Sequence, residues 1–357
     1  MNSAATLEVF VSLSIQVSLL VGVAAWVTSR RSFRTCADAC WLSLHVSILL
    51  LTAAAFLFPH VRCVTWADLQ PATDHPILES LATLTGKTCS WVWFTGTATF
   101  LAICAAGIYR ATSLVRRAKI DHSVCSLDPQ ELASDALENG VETRVSHDAV
   151  SPFCWQLHRP VIVLPEIMRV FPGPERSAIL RHERAHLRLQ HPLHLFLQRM
   201  SEALFWFHPL VWWASRRAAA CREFRCDQDS VRSRSEVIHY LRGLLRMIEL
   251  KLQPAERLPA GLGFMGDASL LTERVHRLQD RAEFSAGPQG AARGVAAIAI
   301  AALACSLVWL PVNPDASRRS MWSPWPTWSA QTLYMAGVVV RDYEVDGHRL
   351  SLHNHDK

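Results

Sequence analysis

The sequence predicts a mainly α-helical membrane protein with four transmembrane helices and an α+β domain between the third and the fourth. Three observations predict it. Half of the 357 residues are hydrophobic, and the mean hydropathy is +0.14, more apolar than an ordinary soluble domain. Four runs, Val9–Val27, Trp41–Phe58, Trp91–Tyr109 and Val295–Val312, carry almost no charge and are expected to be long enough to cross a bilayer, which takes roughly 20 apolar residues. Between the last two, residues 111–294 mix charge with helix-type and strand-type patterns and hold a dense group of candidate catalytic side chains. The expected organisation is 1–110 for three spans with short loops, 111–294 for the inserted domain, 295–312 for the fourth span and 313–357 for a tail.

The basic residues orient the spans. No Lys or Arg precedes Val9, which argues against a cleavable signal peptide. Arg30, Arg31 and Arg34 follow the first span, and Arg110, Arg116, Arg117 and Lys119 follow the third; the loop at about 60–90 carries only Arg62 and Lys87. Positive residues stay inside, so the N-terminus is expected outside, the domain in the cytoplasm and the C-terminal tail outside, although Arg318 and Arg319 run against that last step. A net charge of +5 fits basic flanks at a membrane and needs no nucleic acid to explain it. Cys63 and Cys89 fall at the two ends of the outer loop, where a disulfide could tie spans two and three together. Cys36, Cys40, Cys125, Cys154, Cys221 and Cys226 fall on the reducing side; Cys36 and Cys40 share a helix face but have no further ligands nearby.

Within the inserted domain a short helix is expected at Pro129–Asn139. The β-branched run Arg159–Pro165, fenced by prolines, reads as a strand, and the prolines favour an edge. An edge strand could pair with an extended peptide substrate; an ordinary core strand is the alternative. A helix is then expected from about Pro174 through Met200. It carries His182-Glu183-Arg184-Ala185-His186, a His-Glu-x-x-His pattern whose two imidazoles share a face because they lie four residues apart. Such a pair could hold one Zn²⁺, with Glu183 beside it as general base; the alternative is a surface helix that happens to carry two histidines.

The apolar stretch Ala203–Trp213 is too short to span a bilayer and reads as either an interfacial, re-entrant element or a buried turn. In Cys221–Asp227, helical spacing puts Glu223 and Asp227 on one face. A catalytic zinc takes three protein ligands; Glu223 could be the third and Asp227 an acceptor that orients a ligand imidazole. Cys226 competes as a ligand, and an acidic pair balanced by Arg222 and Arg225 is the alternative. Ser233 and Glu236 form a capping box for an amphipathic helix through Leu252. Another helix is expected within Gly261–Arg281, then a linker at Phe284–Gly294. In the tail, Asp346-Gly347 signals a hairpin, and His348, His353 and His355 are either metal donors or part of a frayed polar end.

The segments Ser151–Phe153, Arg159–Pro165, His182–His186, Phe205–Trp213 and Arg222–Asp227 together resemble the membrane-embedded antirepressor metallopeptidases of the BlaR/MecR type. The resemblance runs from the first span to the fourth. It implies a gluzincin-like zinc metallopeptidase domain in the bacterial inner membrane, with His182, His186 and Glu223 as zinc ligands, Glu183 as base and Asp227 behind the ligands. It also implies a signalling protease that cuts a cytoplasmic transcriptional repressor of winged-helix type, and that can cut itself. A housekeeping membrane protease and a non-catalytic membrane transducer are the alternatives; retention of Glu183 argues against the transducer. Three departures stand out. The family often has aspartate where this chain has His191 and asparagine where it has His208, a candidate for polarising the scissile carbonyl. The residues after Val312 are too few for the penicillin-binding sensor domain of the β-lactam sensors and contain no Ser-x-x-Lys, so direct β-lactam sensing is not expected; a separate sensor protein and a homodimer stay open as partners.

Overall fold

The computed structural model describes residues 3–30, 33, 36–59, 61, 76–120, 140–156, 159–252, 268–279, 288–307, 309, 325–338 and 340. They are mainly helical with one small sheet, and they divide into two units. The first draws on residues 1–100, 200–215 and 286–357, the second on 101–199 and 216–285.

In the first unit, α1 (Ser3–Ser29), α2 (Ala37–Leu57) and α9 (Pro288–Cys305) pack on one another. The buried positions of α1 include Leu13, Val17, Leu20, Ala24 and Val27, and those of α2 include Cys40, Leu44, Ile48, Leu51 and Ala55. Both sets recur every three or four residues, the spacing of one helix face. A Cβ built on Gly294 would lie 2.5 Å from Cys40 Sγ, so α9 approaches α2 this closely only because that position is glycine. The third long helix, α3 (Pro76–Arg117), presents Trp91 and Phe94 to the outside, while Trp93 stacks on Phe56 and donates its indole N–H to Leu204 O.

Helices α1, α2 and α3 are long and apolar enough to cross a membrane. The fourth expected span differs. Its helix starts earlier than the sequence suggested, at Pro288, inside the stretch read as a linker, and its apolar part, Gly290–Cys305, is shorter than the roughly 20 residues a bilayer needs; residues 310–324 lie outside those described. The Pro129–Asn139 helix, Cys63 of the expected disulfide and the tail hairpin with its three histidines also lie outside them. Cys89 is exposed on α3. The tail includes a short helix not foreseen, α10 (Thr327–Met335).

The second unit is built on a four-stranded sheet. Its strands are β1 (Lys119–Ile120), β2 (Glu142–Ser146), β3 (Phe153–Trp155) and β4 (Val161–Pro165), in the order β1-β2-β4-β3. β2 and β4 run parallel; the two outer pairings are antiparallel. The edge position expected for Arg159–Pro165 is therefore wrong: β4 is central. Every residue of β4 is buried. Ile162 and Leu164 pack with Ile179, Leu180 and Leu187 on one face, and Val161 and Val163 pack with Val115 and Ala118 on the other. A strand covered on both faces reads as a continuous apolar run, and Pro160 and Pro165 flank the ladder without interrupting it. Among the described residues the edges are β1 and β3.

The helix expected from Pro174 through Met200 is two helices, α4 (Gly173–Arg188) and α5 (His191–Leu204). Gln190 between them has φ 55°. Pro192 forces the break, because a proline ring clashes with the preceding turn and removes a backbone donor, and it sits comfortably near the start of a new helix instead. The chain continues through the Phe205–Phe207 turn, where Phe205 is buried and Phe207 exposed, into α6 (Pro209–Ser230), α7 (Arg234–Leu252) and α8 (Ala268–Gln279). The Ser233 cap of α7 is present: Ser233 Oγ accepts the Glu236 N–H, while the Glu236 carboxylate accepts the Arg232 N–H, one residue earlier than in the standard box.

Candidate metal centre

Helix α4 packs against α7 and β3, and this fixes which way its His-Glu-x-x-His face points. His182 is buried and His186 half-buried. Their Nε2 atoms lie 3.1 Å apart. Glu223, on α6, completes the group: its two carboxylate oxygens are 3.4 Å from His182 Nε2 and 3.5 Å from His186 Nε2. The donor atoms of the three residues all fall within 4.8 Å of one another. Two imidazole nitrogens and one carboxylate converging from two helices match the donor set and spacing of a catalytic zinc site. The residues present fit the ion, and the three are those the sequence pointed to.

The rear side of His182 is held by a buried network. Its Nδ1 is 3.1 Å from Asp227 Oδ1 and 2.9 Å from Tyr240 Oη. Tyr240 donates its hydroxyl proton to Asp227 Oδ1 at 2.6 Å, and Arg274 donates to Asp227 Oδ1 and Oδ2 at 2.7 and 2.8 Å. Arg274 Nη1 also lies 3.3 Å from Glu223 Oε2. With the tyrosine proton committed to Asp227, the neutral imidazole keeps its proton on Nδ1, so that the Nε2 lone pair faces the site once the ring has given up its extra proton.

The electrostatics follow from burial and from these partners. Burial pushes the Glu183 carboxyl up to about 7; the Glu223 charge reinforces this, and His182 and Arg274 oppose it. Burial works against charge on His182 too, but Asp227 and Glu223 outweigh it and hold the imidazole at about 9. His186 falls to about 4, chiefly through burial. Burial also opposes charge on Glu223 and Asp227, yet their cationic neighbours hold both carboxyls below the usual range.

Tyr240 and Arg274 were missed in the sequence, and each left a signal. Arg274 interrupts the apolar side of α8 four residues before Leu278, and Tyr240 lies on the face of α7 that holds Val237 and Leu244; a charged or phenolic group on an apolar face needs a buried partner. Cys154, on edge strand β3, feels the Glu183 and Glu223 charges after burial has raised its thiol, so β3 runs beside the site. Cys226 is directed elsewhere: its Sγ is 3.2 Å from His191 Nδ1. His208 belongs to the first unit, where its Nε2 lies 3.2 Å from both Ser18 Oγ and Ser14 O.

A His-Glu-x-x-His helix facing a downstream glutamate is the side-chain pattern of zinc metallopeptidases, here in a chain with helices long and apolar enough to cross a membrane. Residues 10–278 match the model of the BlaR1 peptidase M56 family, and the chain belongs to that family. Among curated proteins it is similar to "Regulatory protein BlaR1" of Bacillus licheniformis, 28% identical over 112 residues; that stretch is 31% of this chain and 19% of the relative.

Proposed function

We propose that the protein is a zinc-dependent endopeptidase of the bacterial inner membrane that acts as a signalling protease. The observation that carries this is the convergence of His182, His186 and Glu223 within 4.8 Å, next to a Glu183 carboxyl whose proton affinity is raised to about 7. The two imidazoles and Glu223 hold the ion, and Asp227 fixes the His182 tautomer from behind. Bound there, zinc supplies Lewis acidity to a water molecule and to the scissile carbonyl. Glu183 takes the proton of the attacking water and returns it to the leaving amine; a base with pKa near neutrality suits both transfers. Among the described strands, β3, rather than β4, offers the outer edge along which an extended peptide would add by backbone pairing.

The domain with this site faces the cytoplasm in this reading, with both termini outside. The substrate is then a cytoplasmic protein, for which a winged-helix transcriptional repressor is the leading candidate, with self-cleavage as a second event. Support comes from family membership and from the basic residues after the first and third spans.

The test is mass spectrometry of newly formed peptide termini in the native host, comparing wild type with Glu183→Gln. A DNA-binding protein cut only in the wild type bears the reading out. A broad set of membrane-protein termini would replace it with housekeeping proteolysis, and identical termini under inducing stress would leave a transducer.

A further inference from the structure

The ring of His186 has a second side. Its Nε2 faces His182 and Glu223, but its Nδ1 lies 2.9 Å from His191 Nδ1, and His191 Nδ1 lies 3.2 Å from Cys226 Sγ. His191 and Cys226 are buried, and the donor atoms of His186, His191 and Cys226 again all lie within 4.8 Å of one another. They come from three helices, α4, α5 and α6, and the α4–α5 break at Gln190 is what turns His191 back towards His186.

Protons alone do not satisfy this cluster. Once His186 offers its Nε2 lone pair to the first ion, its proton sits on Nδ1 and points at His191 Nδ1. The Cys226 S–H is directed at the same atom. A neutral imidazole nitrogen has one lone pair and accepts one of the two; the other donor stays buried and unpaired, which is destabilising. If His191 carried its proton on Nδ1 instead, two N–H groups would meet head-on. A cation placed among the three atoms resolves the conflict, because nitrogen, nitrogen and sulfur then all act as donors to it. Two imidazoles and a thiolate favour a soft, thiophilic ion such as Zn²⁺ or Cu⁺ over Mg²⁺ or Ca²⁺.

We propose that His186, His191 and Cys226 form a second metal site for a thiophilic cation, bridged to the first through the two ring nitrogens of His186. It rests on the proposed first site only through His186. On binding, the Cys226 thiol proton and the His186 Nδ1 proton are released to solvent, as metal ligation requires. The bridging ring then shares its electron density between two ions, so each weakens the other's hold by the same factor. Excess thiophilic metal should therefore loosen the first ion and restrain the peptidase.

The experiment titrates the full-length, detergent-solubilised apoprotein with Co²⁺, following uptake by elemental analysis and thiolate ligation by its charge-transfer band. Wild type is expected to take about two equivalents, the thiolate band rising only with the second. Cys226→Ser and His191→Gln should each lose the band and the second equivalent but keep the first, and retention of the first shows that the fold survives. A single equivalent without the band overturns the second site and leaves the first standing. A single equivalent that carries the band overturns it as well, and moves the one ion away from Glu223. Persistence of the band in Cys226→Ser also overturns it.

Discussion

Asp227 Oδ1 lies 3.1 Å from His182 Nδ1, and the same oxygen accepts hydrogen bonds from Tyr240 and Arg274. One buried carboxylate therefore sets the tautomer of a candidate metal ligand while its own charge is balanced by a buried guanidinium. Asp227→Asn removes the charge but not the shape. Metal affinity is expected to fall about 10–100-fold, the usual effect of losing such a partner. Chelator competition on the purified protein measures this.

Arg274 ties Asp227 to Glu223 across α6 and α8. Arg274→Met leaves the buried Asp227 carboxylate and the half-buried Glu223 carboxylate without this cation, and breaking the buried Asp227 pair on one side costs about 3–5 kcal/mol. The expected outcome is a lower unfolding midpoint together with weaker metal binding. Arg274→Lys should recover part of the stability but less of the metal affinity, since an ammonium cannot span both carboxylates in the fork geometry. Denaturant melts with and without metal separate the two effects.

Glu183→Gln keeps volume and ligands but no base. Bound metal should stay at the wild-type level while turnover on a peptide substrate drops about 10²–10⁴-fold. With Glu183 as the proposed base, only its carboxylate can take the proton, so kcat/KM should rise with pH through the Glu183 pKa. In the metal-free site that value is about 7, and the positive charge of a bound ion moves the limb to lower pH. A pH–rate profile whose acid limb lies above 7 would contradict the assignment.

Metal uptake should itself depend on pH. Without metal, His182 keeps its extra proton up to about 9, and that proton must leave before Nε2 can ligate. The apparent affinity is then expected to rise with pH, about tenfold per unit for this one proton, and to level off near 9. Asp227→Asn removes the first charge that holds the proton, so the same titration in that variant should level off at lower pH.

Gln190 occupies the left-handed region with φ 55°, which costs an L-residue with a side chain about 1 kcal/mol. Gln190→Gly should raise stability by up to about that amount, less the entropy that glycine adds to the unfolded chain. Gly96 behaves in the opposite way. A Cβ there would meet Trp206 at 2.2 Å, so Gly96→Ala should be destabilising. Thermal melts of the two variants should move in opposite directions.

Much of the candidate site was legible in the chain, because helical spacing is a local property. His182 and His186 share a face four residues apart, and so do Glu223 and Asp227, whatever surrounds them. The Ser233 cap and the three longest apolar helices were legible for the same reason. The failures came where a residue's meaning depends on its neighbours in space. The prolines beside β4 suggested an edge, but an edge is defined by which strands lie alongside, and β2 and β3 occupy both sides. Pro192 carried the signal for the α4–α5 break and was outweighed by the apolar spacing running past it.

The sequence by itself determined the chemistry on offer: the two histidines and the glutamate on α4, the acidic pair on α6, and apolar runs long enough for a membrane. Those depend on residue type and on the fixed pitch of a helix. Only the tertiary structure decided that Glu223 meets both imidazoles, that Arg274 from α8 and Tyr240 from α7 hold Asp227 in place, and that His191 turns back to meet His186 and Cys226. Each of these joins residues on different helices, and such meetings are set by packing, which no spacing along the chain encodes.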